Sequence, residues 1–137
     1  MNKHDELLLQ NALEVRNSAY APYSSYSVGC ALLDDQGGVH VACNVENAAF
    51  PLGSCAEANA IGAMVASGAT RIDTLVIVGG FSELENCPPC GGCRQRIQEF
   101  ADADTRILLQ KDSGELETYK IEELLPRSFK LDGGFSG

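Results

Sequence analysis

Two short stretches hold the side chains that could do chemistry. Ser54-Cys55-Ala56-Glu57 sets a cysteine two residues before a glutamate, and Pro88-Pro89-Cys90-Gly91-Gly92-Cys93-Arg94-Gln95 sets two cysteines three residues apart behind a pair of prolines. Three thiolates can hold one zinc ion and leave its fourth tetrahedral position open to water. A carboxylate beside that position can take a proton from the water and pass it to a substrate. Cys55, Cys90 and Cys93 are therefore the candidate zinc ligands, and Glu57 the candidate general acid–base. Water attack on an amidine-like carbon, with the amino group protonated to leave as ammonia, is hydrolytic deamination, and a three-cysteine zinc site with a glutamate beside it suits that reaction.

Other readings of the same residues exist. Ser54-x-x-Glu57 matches a capping box, in which Glu57 would only cap a helix. Cys90-x-x-Cys93 could be a redox pair, although the surrounding pattern is not thioredoxin-like. Cys87, Cys90 and Cys93 imitate the start of a ferredoxin cluster run, but Ile97-Gln98 stands where a fourth cysteine and a proline are required. A closed structural zinc site built from Cys55, Cys87, Cys90 and Cys93 would leave Glu57 without a chemical role.

Both stretches need elements to bring them together. Cys55 opens a helix expected over about 55–67 with Gly68 as its stop, and Cys90 and Cys93 sit around the start of a helix expected over about 91–101. Helix N-termini favour thiolate over thiol. Both helices follow loops expected to leave neighbouring strands at one end of a sheet, where α/β proteins gather their ligands. The strands are read at 27–34 and 39–43, a hairpin turning at 34–38, then at 74–79, 105–110 and 115–120. A helix over 5–19 keeps Leu8, Ala12, Val15 and Ala19 at a 3.6-residue period, with Asp5 and Glu6 suiting its N-terminal dipole. Residues 20–26, 44–54 and 80–89 read as loops, 122–125 as a short helical turn ended by Pro126, and 133–137 as a mobile tail. The order implies one domain, 1–137, of the α/β class: a mixed five-stranded sheet sandwiched by helices, α/β/α.

Composition narrows the partners. The 137 residues carry 10 basic and 19 acidic side chains, a formal charge of −9, which opposes a phosphate backbone and argues against nucleic acid. No apolar run approaches the ~20 residues of a membrane span, and the N-terminal segment lacks a secretory apolar block, so a cytoplasmic protein is expected. Six cysteines in a reducing compartment point to metal rather than disulfides. Cys30 and Cys43 read as small strand residues, Cys87 as a spare thiol, and His4 and His40 as incidental.

Cys55-Ala56-Glu57 with Pro89-Cys90-x-x-Cys93-Arg94-Gln95 resembles the small homotetrameric zinc-dependent cytidine deaminases. The likeness extends, in order and spacing over about 5–130, to Ala19-Tyr20-Ala21-Pro22-Tyr23-Ser24, Tyr26-x-Val28-Gly29, Cys43-Asn44-x-Glu46-Asn47-Ala48 and Glu123-Leu124-Leu125-Pro126. The resemblance implies one Zn2+ per subunit on Cys55, Cys90 and Cys93, with Glu57 as proton shuttle. It implies that Asn44 and Glu46 bind the ribose 3′-hydroxyl, that the Ala56 N–H holds the 2-oxo group of the base, and that the Pro88 carbonyl accepts from the 4-amino group. Tyr26 stands where the family usually stacks a phenylalanine near the base. Phe129 matches an aromatic lent by a neighbouring subunit and Ala48 a neighbour's contact to the 5′-hydroxyl, which implies a homotetramer with shared active sites. The implied activity is conversion of cytidine and 2′-deoxycytidine to the uridines and ammonia in pyrimidine salvage.

Three positions depart from the family pattern. Ala58 replaces an arginine that offsets thiolate charge, Phe50 replaces a frequent tyrosine, and Tyr26 adds a hydroxyl. Arg94 and the two helix N-termini are the expected compensation for Ala58. The departures leave open a related deaminase acting on a modified cytosine nucleoside or a cytosine-containing antibiotic. A non-catalytic zinc-stabilised binding module is the alternative of another class.

Overall fold

Alternate side chains of an extended strand point to opposite faces, and three apolar strands here use both. They are β1 (Ser27–Asp34), β3 (Ile72–Gly80) and β5 (Arg106–Gln110). Cys30, Leu32, Leu75, Ile77, Ile107 and Leu109 form one buried cluster with Ala60 and Met64 of α2 (Ala56–Ala66) and Ile97 of α3 (Gly91–Phe100). Ala31, Val76, Val78 and Leu108 form the other cluster with Leu8 and Ala12 of α1 (Lys3–Arg16). The result is a three-layer α/β/α arrangement. These elements belong to a computed structural model that describes residues 2–131, and the glycine-rich tail expected to be mobile lies outside the described residues.

The sheet is mixed. Its main path runs β2 (Val39–Cys43), β1, β3, β5, β6 (Leu116–Tyr119), and only β3 and β5 pair in parallel. Among the described residues it has six strands where five were expected. The sixth, β4 (Leu84–Glu85), pairs with Gly79 and Gly80 at the end of β3. A two-residue strand has no periodicity to read. It forms because Gly80 adopts φ +155°, where a Cβ would lie 2.0 Å from the Glu83 carbonyl oxygen. A short α4 (Ile121–Leu124) closes the described chain.

The strands that feed the two site helices are not neighbours, contrary to the sequence expectation. α2 follows β2 and α3 follows β3 and β4, with β1 lying between β2 and β3. Both flank β1 antiparallel, so β2 and β3 run the same way and end at the same edge, where β1 begins. Arg16 secures that edge. Its Nε donates to the Ser27 carbonyl (2.9 Å) and its Nη2 to those of Gly80 (3.0 Å) and Phe81 (2.9 Å). Gly29 lets α1 lie directly on β1, since a Cβ there would sit 2.0 Å from the Ala12 carbonyl oxygen.

Some polar residues have roles that the sequence reading did not assign. Asn2 caps α1, its Oδ1 accepting from the Asp5 N–H at 2.8 Å. Asp5 and Glu6 stand in the first turn as expected, and Asp5 is also buried and paired with Arg106 at the first residue of β5. Helix α1 ends at Arg16, short of Ala19, because Tyr20 turns away to pair with Val45. His40 is not incidental: its Nε2 lies 2.8 Å from Oδ2 of the buried Asp34.

Candidate active site

Cys55 is the N-cap residue of α2, and its side chain makes no capping bond. Ser54 does not form a capping box with Glu57. It is held by backbone pairing, its N–H donating to the Val45 carbonyl (2.8 Å) and its carbonyl accepting from the Val45 N–H (3.0 Å). Glu57 is therefore free for another role. It is 5% exposed in the first turn of α2, beside Ala56, whose N–H belongs to the set that a helix leaves without an internal acceptor. Cys90 is the N-cap of α3, its Sγ accepting from the Cys93 N–H at 3.4 Å.

The sulfurs of Cys55, Cys90 and Cys93 all lie within 4.8 Å of one another. Tetrahedral zinc–thiolate bonds of about 2.3 Å would set the sulfurs roughly 3.8 Å apart, so modest inward rotation completes the fit. Electrostatics suit a metal as well. The Cys55 thiol is lowered to about 6, first by hydrogen bonding from Cys93 and then by Cys90 and the charge of Arg96. Cys93, the donor in that pair, is pushed up by giving its proton to Cys55 and by burial. Burial pushes Glu57 up, reinforced by the negative charge of Cys55 and opposed by hydrogen bonding from its own backbone and from Cys93.

Cys87 does not join the cluster. It is buried, and its Sγ occupies space that a Cβ on Gly79 would contest at 2.7 Å. Its partner is the Tyr26 hydroxyl, whose own pKa rises through burial first and this contact second. That geometry disfavours both the closed four-cysteine site and the cluster-binding run.

The three-cysteine cluster opens into a cavity of about 350 Å³. Tyr26, Asn44, Glu46, Ala56, Glu57 and Pro88, all marked by the sequence, line it. Asn44 and Glu46 are more than loop polars. The Asn44 side chain bridges to β1, its Oδ1 accepting from the Val28 N–H (2.9 Å) and its Nδ2 donating to the Tyr26 carbonyl (2.8 Å). The Glu46 carboxylate accepts from the N–H groups of Tyr23 (3.0 Å) and Ser24 (3.1 Å) and from the Ser24 hydroxyl, which holds its pKa below the usual carboxylate range. The 44–54 segment is thus ordered by these bonds and by a 3₁₀ turn at Phe50–Leu52.

Two marked residues lie elsewhere. Ala48 is exposed and does not line the cavity, and Phe129 is 68% exposed. Phe129 is tied through its backbone, its N–H and carbonyl bonding the Gln95 side chain at 3.3 and 3.0 Å. Cys87, read from the sequence as a spare thiol, lines the cavity, and Phe81, which the sequence reading did not single out, packs edge-on against Tyr26 with ring centroids 4.8 Å apart. The Tyr26–Cys87 contact spans distant segments, so no local pattern could signal it.

Known proteins share this arrangement. A family model described as the cytidine and deoxycytidylate deaminase zinc-binding region matches residues 2–109. A cytidine deaminase of Halalkalibacterium halodurans is 36% identical over 127 residues, covering 93% of this chain and 95% of the relative. The crystal structure of cytidine deaminase from Burkholderia pseudomallei aligns with a TM-score of 0.83 at 34% identity, covering 94% of this chain and 100% of that one. A blasticidin-S deaminase of Bacillus cereus is 30% identical over 135 residues, with 94% of each chain covered. A match over most of the length, with the three-thiol cluster and buried glutamate in place, means that the chain belongs to the cytidine and deoxycytidylate deaminase zinc-binding family.

Proposed function

We propose that the chain is a zinc-dependent enzyme that converts cytidine and 2′-deoxycytidine hydrolytically to the uridines with release of ammonia. The observation that carries the reading is the convergence of three sulfurs within 4.8 Å beside a buried glutamate, at one end of a cavity that also presents Asn44 and Glu46. Cys55, Cys90 and Cys93 would hold the zinc ion, whose charge, when bound, supplies a nucleophilic water near neutral pH. In this reading Glu57 moves the protons. Its carboxylate accepts one from the attacking water and delivers it to the substrate, and protonation of the 4-amino group lets ammonia leave as the 4-oxo group forms. The Ala56 N–H holds the 2-oxo group and the Pro88 carbonyl accepts from the 4-amino group, which orients the base. Asn44 and Glu46 meet the ribose 3′-hydroxyl, which accepts from the Asn44 amide and donates to the Glu46 carboxylate.

The active unit in this reading is a homotetramer in which Phe129 and Ala48 serve a neighbouring site. Their exposure away from their own cavity supports that assignment. The enzyme would act in the cytoplasm, in pyrimidine salvage. No helix among the described residues is long and apolar enough to cross a membrane. Incubating the zinc-loaded protein with cytidine should yield uridine and ammonia in equal amounts. No turnover by a zinc-replete preparation would end the assignment.

A second reading keeps the chemistry and changes the substrate to a cytosine-containing antibiotic or a modified cytosine nucleoside. The likeness to a blasticidin-S deaminase and the Tyr26–Cys87 pair in the cavity wall favour it. A panel of cytosine compounds separates the two. Cytidine turned over far faster than any analogue supports the first reading, and the reverse supports the second.

A further inference from the structure

Three thiolates outweigh one divalent cation by a unit of charge, and the Glu57 carboxylate adds a second. A site this negative, in a partly buried setting, calls for a fixed cation nearby. Arg94, the expected compensator, is committed elsewhere: its Nε donates to the Pro89 carbonyl and its Nη1 to the Leu124 carbonyl, each at 2.8 Å. Arg16 is held by the carbonyls of Ser27, Gly80 and Phe81. Position 58 is alanine. Arg96 is different. Its Nη1 lies 3.7 Å from Cys93 Sγ, and among the described residues it is the cation that bonds a sulfur of the cluster.

The geometry explains how it gets there. Arg96 follows Cys93 by three residues on α3, and side chains at that spacing share a helix face. Gly92 leaves the path open. A Cβ built there would meet Arg96 Nη1 at 3.3 Å and Cys90 Sγ at 4.0 Å, so the guanidinium lies against a stretch of bare backbone between the two α3 ligands.

We propose that Arg96 is the positioning cation of the metal centre: held against Cys93 and over Gly92, it offsets the excess negative charge of the three thiolates and so strengthens zinc binding. The proposal rests on the three-cysteine reading above. Zinc binds the thiolate form of its ligands, and a fixed positive charge 3.7 Å from Cys93 Sγ favours that form and so the loaded state.

The test is competition of the zinc-loaded protein with a chromophoric chelator at neutral pH, for the parent and for Arg96→Lys, Arg96→Gln and Arg96→Met, with melting curves of the metal-free forms. Arg96→Gln and Arg96→Met should bind zinc about 10–100-fold more weakly. Arg96→Lys, which keeps the charge, should recover most of the loss, and the metal-free melting temperatures should coincide. Gly92→Ala, which pushes the guanidinium away, should weaken zinc in the same direction by less. Zinc affinity in Arg96→Gln within twofold of the parent overturns the proposal, as does Arg96→Lys being as weak as Arg96→Gln. A fall in metal-free melting temperature that tracks the zinc loss assigns Arg96 to packing and also overturns it. A parent that holds no zinc at all overturns the three-cysteine reading itself, which distinguishes that failure from failure of the Arg96 role alone.

Discussion

At the scale of single residues, the decisive fact is that Glu57 is buried without being a cap. Its carboxyl sits in the first turn of α2 beside the thiol cluster, and no serine side chain uses it. Replacing it by glutamine keeps the shape and removes the ability to accept and return a proton. Glu57→Gln should retain zinc by metal analysis and lose roughly 10²–10⁴ in kcat with cytidine. Retained activity would return Glu57 to a structural role. Asp34 gives a second prediction, on stability. Hydrogen bonds from His40 and from the N–H groups of Gly38 and Gln36 outweigh burial and hold its carboxyl below the usual range. A carboxylate depressed in the folded state contributes stability that is present above its unfolded pKa of about 3.9 and is lost as pH falls through the folded value. Urea midpoints of the parent should therefore drop steeply below about pH 4. Asp34→Asn should start lower at neutral pH and show a shallower acid limb. Parallel acid limbs in the two proteins would remove Asp34 from that account.

At the scale of elements, the site depends on how closely α1 presses on β1. Gly29 permits that approach, and Arg16 then reaches across the start of β1 and the end of β3, the edge where the cavity opens. Gly29→Ala forces a Cβ against the Ala12 carbonyl and should cost about 1–3 kcal/mol or more, since overpacking shifts backbone. Urea unfolding monitored by far-ultraviolet circular dichroism reads the cost. A change below about 0.5 kcal/mol, ordinary for surface sites, would mean that the helix can slide freely. The capping-box motif, the start of α1 and the short β4 all look different once these contacts are known. Ser54 pairs its backbone with Val45, Asn2 supplies a cap for α1 that the sequence reading had not named, and β4 arises where Gly80 turns the chain back on β3.

At the scale of the whole molecule, the cavity of one chain is open and lacks two of the residues assigned to substrate. Phe129 and Ala48 are exposed and do not line it. If they complete a neighbour's site, Phe129→Ala should lower kcat/KM for cytidine while leaving zinc content and the parent's fold intact. Unchanged kinetics would count against shared sites. The formal charge of −9 fits a small-nucleoside enzyme, which has no phosphate backbone to neutralise.

The sequence by itself determined the parts that local spacing controls. Cys90 and Cys93 three apart at a helix start, Cys55 two before Glu57, and the apolar strands each encode their geometry within a few residues, so the candidate ligands and the α/β/α layering were legible. Arg96 was legible too, through its three-residue spacing from Cys93, yet the adjacent Arg94 drew the expectation although one step along a helix turns a side chain about 100° away. What only the tertiary structure decided is which distant groups meet. The strand order puts β1 between β2 and β3, so that Cys55 reaches Cys90 and Cys93, Asn44 spans to Tyr26 and Val28, and Tyr26 finds Cys87. Those meetings follow from sheet register and helix packing over separations of 16 to 101 residues, as with Asn44 to Val28 and Arg106 to Asp5, and no local pattern carries that information.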